Sequence, residues 1–168
     1  DITSNFNSLL LQNVDNKTFS KDNFKVVSKI KPSKKIFNDL LFAFNVCRNV
    51  KSNAIVLTKN SSTIGIGSGQ PSRLDSCKIA IEKMKKFQKF NNEDIIIGAS
   101  DAFFPFVDGI EILVQNGVSA IIQPSGSIRD KEIIKFADKF GVILVFSKTR
   151  HFKPVSYTHL TLPTISRV

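Results

Sequence analysis

Cysteine is scarce in this 168-residue sequence: there are two, Cys47 and Cys77. No CxxC or HxE spacing accompanies them, so no zinc site is expected and no residue is assigned to a metal. Both fall on apolar faces of helical patterns, and free buried thiols fit a reducing cytosol, so a cytoplasmic protein is expected. Long apolar runs are also missing. None reaches the roughly 18 residues of a membrane span, so no membrane partner is expected. The sequence lacks an initial methionine and a secretory signal pattern, and reads as a piece of a longer protein. Acids are the minority charge, 14 against 24 Lys and Arg, leaving a net +10. That excess has two readings. One is an anionic partner: nucleic acid, a phosphorylated metabolite or a polyglutamylated cofactor. The other is lysine on every solvated face, since lysines run from Lys17 to Lys153, with the tightest knot at Lys83-Met84-Lys85-Lys86.

The hydrophobic content of 42% supports a packed core, and the length gives one domain or slightly more. Residues 1–31 read as a partial preceding segment, irregular or lightly stranded, with strand patterns at Leu9–Gln12 and Phe24–Ser28. Pro32-Ser33 opens a helix with Ser33 as N-cap and an apolar face of Ile36, Leu40, Phe44 and Cys47. Residues 54–67 read as a β-hairpin turning at Lys59-Asn60-Ser61-Ser62. Gly65, Gly67 and Gly69 then let a backbone approach a ligand, and Ser72 caps a helix whose free N–H groups favour an anion. Its apolar stripe is Cys77, Ala80, Ile81, Met84 and Phe87.

From residue 95 the pattern is strand 95–99, helix 107–115, strand 118–123, helix 128–140, strand 142–146. Ser127 and Asp130 form an approximate capping box for the second of these helices. Such units give parallel neighbours with right-handed crossovers. The loops 100–108, 124–128 and 147–152 then meet at one sheet edge, where open α/β sheets bind ligands. The first is unusual for a connection: Ser100-Asp101-Ala102-Phe103-Phe104-Pro105-Phe106-Val107-Asp108-Gly109 sets three phenylalanines beside two aspartates. Aromatic faces next to carboxylates suit a flat heterocycle carrying amino groups. Alternatively, the phenylalanines fill core and the aspartates cap the next helix.

Five motifs occur in order: Lys51-Ser52-Asn53-Ala54, Gly65-Ile66-Gly67-Ser68-Gly69-Gln70-Pro71-Ser72-Arg73, the Ser100–Phe106 stretch, Gln123-Pro124-Ser125-Gly126-Ser127, and Arg150-His151-Phe152. Together they resemble the carboxyl-terminal part of the bifunctional purine biosynthesis proteins, which combine AICAR formyltransferase with IMP cyclohydrolase. The resemblance runs from about residue 8 to 153. It implies an α/β fold, a mixed sheet flanked by helices of the cytidine-deaminase-like type, without zinc. Residues 32–154 would be the C-terminal formyltransferase subdomain, and 155–168 a non-native tail. It further implies transfer of a formyl group from 10-formyltetrahydrofolate to the amine of phosphoribosylaminoimidazolecarboxamide (AICAR), in a homodimer and without nucleic acid. The cyclohydrolase domain and a lysine–histidine proton-transfer pair would lie upstream of Asp1, so this piece alone would bind weakly and not catalyse.

Residue by residue, the resemblance assigns Asn53 to the reacting amine and formyl groups, as a catalytic and substrate-binding amide. It places Arg73, Phe103 and Arg150 on AICAR, and Leu74, Asp108, Ser127 and Ile128 on the folate. His151 has no assigned role beyond structure. Val107 stands where the family usually has a basic residue, and Pro154 where it usually has a histidine. Competing readings are a free-standing basic nucleotide- or nucleic-acid-binding module and a Rossmann-type dehydrogenase domain. The dehydrogenase would need a complete glycine fingerprint, which is absent. A nucleic-acid binder should show lysines clustered with exposed aromatics, whereas these phenylalanines fall on apolar stripes. Titration with duplex DNA at low and physiological salt is therefore expected to show no tight, steeply salt-dependent binding; a steep salt slope would favour the binding module.

Overall fold

A computed structural model describes residues 2–5, 8–16, 19–87 and 94–155. Most of the stretch read as a non-native tail, residues 156–168, lies outside the described residues. Strands β1 (Ile2–Asn5) and β2 (Ser8–Leu11) pair with each other. The main sheet has six strands in the order β3-β8-β7-β6-β4-β5. These are β3 (Phe24–Val26), β4 (Ile55–Lys59), β5 (Ser62–Gly67), β6 (Ile96–Ser100), β7 (Val118–Pro124) and β8 (Ile143–Ser147). β6, β7 and β8 run parallel, as the alternating pattern predicts, and β3, β4 and β5 are added antiparallel. The expected α/β class and mixed sheet flanked by helices are what the chain forms.

Side chains alternate across this sheet and divide the core in two. Val56, Ile97, Ala120, Ile122 and Val145 meet α1 (Lys34–Asn49) through Leu40, Ala43, Phe44 and Cys47. Ile55, Leu57, Ile121 and Leu144 face the opposite way, toward α2 (Arg73–Phe87), α3 (Val107–Gln115) and α4 (Asp130–Phe140). The central strands are covered on both sides, which explains why Ile143–Phe146 reads as continuously apolar.

Local signals set most element ends. Ser33 Oγ accepts from Ile36 N, as an N-cap does. Asn60 and Ser61 both take positive φ in the two-residue turn between β4 and β5. Gly141 ends α4 in the left-handed region. The expected start of α4 is corrected: it begins at Asp130, not 128. The reason is that half of the capping box forms. The Asp130 carboxylate accepts from Gly126 N and Ser127 N, while Ser127 Oγ turns to Arg129 N instead of capping the helix. Cys77, Ala80, Ile81 and Met84 are buried along α2 as expected; the side chain of Phe87 lies outside what is described.

The glycines of β5 have a different job from the one the sequence implies. A Cβ on Gly67 would sit 1.8 Å from the Ser76 carbonyl oxygen, and one on Gly65 2.2 Å from that of Ala80. They let strand β5 lie directly against the α2 backbone rather than against a ligand. Because the obstacle is backbone, it cannot swing aside. Gly67→Ala is therefore expected to cost at least about 2 kcal/mol of stability, read as a lowered urea midpoint at unchanged slope.

Candidate functional site

β4 runs antiparallel to β6, so Ile55 pairs with Ser100. The amino end of β4 thus meets the carboxyl end of β6. The β5–α2 connection and the loop after β8 end nearby. At this edge lies a cleft of about 460 Å³. Asn53, Arg73, Leu74, Phe103, Asp108 and Arg150 all line it. These residues come from four separate stretches of the chain. Ser127 and Ile128 do not line it. Ile128 is fully exposed, and the loop after β7 touches the cleft's rim through Arg129, whose guanidinium lies 4.8 Å from the Phe106 ring centre. So two of the three loops expected to converge form the cleft, and the third borders it.

The phenylalanines divide between the two readings open in the sequence. Phe104 is buried against α3, with its ring 2.5 Å from where a Gly109 Cβ would stand. Phe103 is half-buried and Phe106 exposed, both on the cleft. The aspartates divide likewise. Asp108 is exposed in the first turn of α3, its Oδ1 accepting from Gly109 N at 2.7 Å. Asp101 is buried and committed to an ion pair with Arg73.

Arg73 is the hub of the cleft floor. Its Nη1 donates to Asp101 Oδ1 and to Ser100 Oγ (2.8 Å), and its Nη2 donates to Asn53 Oδ1 (2.8 Å). Asn53 Nδ2 donates in turn to the Gln70 and Pro71 carbonyls at 2.9 and 3.0 Å. The Asn53 main chain is held too: its N–H donates to Gln70 O, and its carbonyl accepts from Ser76 Oγ at 2.8 Å. The Ser52–Asn53 peptide is cis. Sequence reasoning gave Asn53 an amide with both donors and acceptors to offer. In the fold both donors are used internally, and only acceptor capacity remains.

Arg150 is exposed, over Phe152 at 5.6 Å, and is the cation free to meet a ligand at this edge. Ser72 Oγ accepts from Asp75 N at 3.4 Å, so α2 begins, as expected, at the cleft wall. Sequence reasoning gave no individual role to Ser100 or Gln123, and read Asp101 only with Asp108, as a partner for a ligand's amino groups or as a helix cap. Gln123 is fully buried at the end of β7, and its Oε1 accepts from Phe104 N at 3.4 Å, tying the aromatic loop to the sheet. A polar residue ending a buried apolar strand was the available signal. Cys77 lies near Gly109, but burial pushes its thiol up to about 12, so it stays protonated and is no nucleophile.

The AICARFT/IMPCHase bienzyme family matches residues 1–83. The bifunctional purine biosynthesis protein PurH of Leuconostoc mesenteroides is 45% identical over 153 residues, 91% of this chain and 30% of that protein. Those of Fusobacterium nucleatum and Bartonella bacilliformis are 47% and 48% identical over 86% of the chain. The chain is thus similar to this bienzyme family over residues 1–83, and to bifunctional purine biosynthesis proteins over most of its length. It spans about 30% of the length of the curated relatives it matches. Among solved structures, a dCMP deaminase from cyanophage S-TIM5 is similar over 67% of this chain and 98% of its own, at 18% identity and a TM-score of 0.45. Among the described residues no group of three or more His, Cys, Asp and Glu is arranged to hold a metal ion.

His151 behaves as a structural residue. It is buried, stacked at 4.4 Å on Phe44, with Nδ1 at 2.5 Å from Asp15 Oδ2. Its Nε2 has no partner among the described residues. Burial lowers its pKa below 6.5, and the Asp15 hydrogen bond opposes this only in part. The folded state therefore holds a neutral ring where the unfolded chain takes up a proton. Stability should fall as the pH drops below about 6.5, because the unfolded state binds more protons there. Urea midpoints at about pH 7.5 and 5.5 are expected to differ less in His151→Gln than in the parent chain.

Proposed function

We propose that this chain is part of an AICAR formyltransferase of purine biosynthesis. The observation that supports it most is the gathering of Asn53, Arg73, Leu74, Phe103, Asp108 and Arg150 around one cleft. The family resemblance assigns these same residues to two co-substrates.

In this reading the AICAR ring lies against Phe103, a contact between flat faces that needs no particular substituent. Arg150 reaches a phosphate or carboxamide oxygen, for which its planar fork is suited. Asp108 accepts from the amino and ring N–H groups of the pterin of 10-formyltetrahydrofolate, beside Leu74. Ser127 and Ile128 meet the folate from the neighbouring rim. The amine nitrogen attacks the formyl carbon and a C–N bond forms. The bond from that carbon to folate N10 breaks, N10 keeps the electron pair and takes a proton, and the amine gives one up. Proton transfer falls to the lysine–histidine pair expected upstream of Asp1, and ring closure to IMP to a separate cyclohydrolase domain. The chain itself supplies positioning and orientation. A homodimer in the cytoplasm, without metal or nucleic acid, completes the reading.

Calorimetric titration of the chain with AICAR tests it. Weak, saturable binding is expected, and Phe103→Ala should reduce affinity roughly tenfold or more through lost ring stacking. No saturation, or an unchanged affinity in the variant, would remove AICAR from this cleft.

A further inference from the structure

Asn53 Oδ1 and Nδ2 are held in one arrangement by three groups. Two backbone carbonyls, Gln70 and Pro71, take both of its N–H donors, and the Arg73 guanidinium takes one acceptor site. Turning the amide over would set its oxygen against two carbonyl oxygens and its NH2 against a cation. All three contacts would become repulsive. Arg73 is itself held by Asp101, whose side chain is 2% exposed, and by Ser100, whose hydroxyl is committed to the Ala102 carbonyl. The Asp101 main chain is fixed as well, its N–H on Ala54 O and its carbonyl accepting from His151 N at 2.9 Å. Asp101 thus joins the end of β6 to both the start of β4 and the loop after β8.

We propose that Asp101 is a positioning residue that acts through Arg73 to keep the Asn53 amide oxygen toward the cleft as an acceptor only. The inference rests on the formyltransferase reading for the identity of the ligand, but not for the geometry. Its chemical consequence concerns the amine. An acceptor takes one N–H of an aromatic amine and leaves the nitrogen lone pair free to attack carbon. A donor at the same place would bind that lone pair and quench it. A buried carboxylate three hydrogen bonds away from the ligand therefore decides whether the cleft binds an amine in a reactive or an unreactive state. It also discriminates: a ligand with hydrogen in place of the amine leaves the oxygen without its donor, which costs about one hydrogen bond.

Two measurements decide it. The first is side-chain amide exchange of Asn53 by NMR in the parent chain. Both Nδ2 protons should exchange at least about tenfold more slowly than those of an exposed asparagine, and exchange at the exposed rate would overturn the clamp. The second compares affinity for AICAR with that for the same ribonucleotide carrying hydrogen in place of the amine. The parent should prefer AICAR by roughly tenfold. Asp101→Asn, which keeps an acceptor but removes the charge, should lose most of this preference and speed Asn53 exchange, with affinity for the hydrogen analogue nearly unchanged. Should that variant not fold, Arg73→Lys, which keeps a cation beside Asp101 and removes the planar fork, should likewise lose the preference for the amine and speed Asn53 exchange, whatever its overall affinity for the two nucleotides. Preference and exchange both unchanged in the variant would refute the role of Asp101. If the parent binds neither nucleotide while the Asn53 protons remain protected, the substrate reading fails and the clamp stands.

Discussion

The pairing of β4 with β6 is the contact on which the cleft depends. It is antiparallel where the neighbouring pairs β6–β7 and β7–β8 are parallel, and it sets Ile55 beside Ser100. A parallel β4 would carry Asn53 to the far edge of the sheet, about one strand length from Arg150. Reversing one strand brings a strand's beginning to the place where three other strands end. Residues nearly a hundred positions apart then become neighbours: Ser52 N–H donates to Lys153 O, and Lys153 N–H returns to Ser52 Oγ. The first of these is a backbone–backbone bond, which positions functional groups more firmly than side-chain packing does because neither partner has a rotamer to change.

Around that junction the charges are arranged in depth. Arg73 and Asp101 lie at the bottom, their side chains 10% and 2% exposed, and Arg150 and Asp108 lie at the mouth. A buried ion pair is not a net source of stability, since desolvating both charges offsets their attraction. Losing one partner, however, strands the other charge and costs about 3–5 kcal/mol. The pair is therefore better understood as a constraint on geometry than as a contribution to folding. The outer charges are exposed at the mouth, where a ligand can reach them. The net +10 of the chain enters little into this arrangement, since the many lysines fall on exposed faces away from it.

Much of the fold was legible from period and punctuation. The apolar faces of α1 and α2, the Asn60-Ser61 turn and the order of β6, α3, β7, α4 and β8 all rest on local signals that the tertiary structure keeps. The start of α4 was not, because Asp130 competes with Ser127 for the same turn. In the site, the motifs picked out residues that line one cleft, but not what they do to each other. That Gly65 and Gly67 serve helix packing, that Asp101 turns inward while Asp108 turns outward, and that Asn53 has no free donor all depend on long-range neighbours. Ser76, Arg73 and Gln70 lie 9, 28 and 17 residues away from Gly67, Asp101 and Asn53 respectively. None of those contacts follows from the helix or strand period within a single element.

The bare strand-to-helix seam between β5 and α2 has a further bearing on how such a cleft can change over time. Where side chains separate two elements, substitutions of size or shape let one slide over the other, and a binding site can widen or narrow by small steps. Here main chain touches main chain at Gly65 and Gly67, leaving no spacer to trim. The wall that carries Arg73 and Leu74 is thus set at the smallest separation two backbones allow. Any drift toward ligands of another size must come from the opposite wall, in the loop of Phe103 to Phe106, whose side chains still have room to vary.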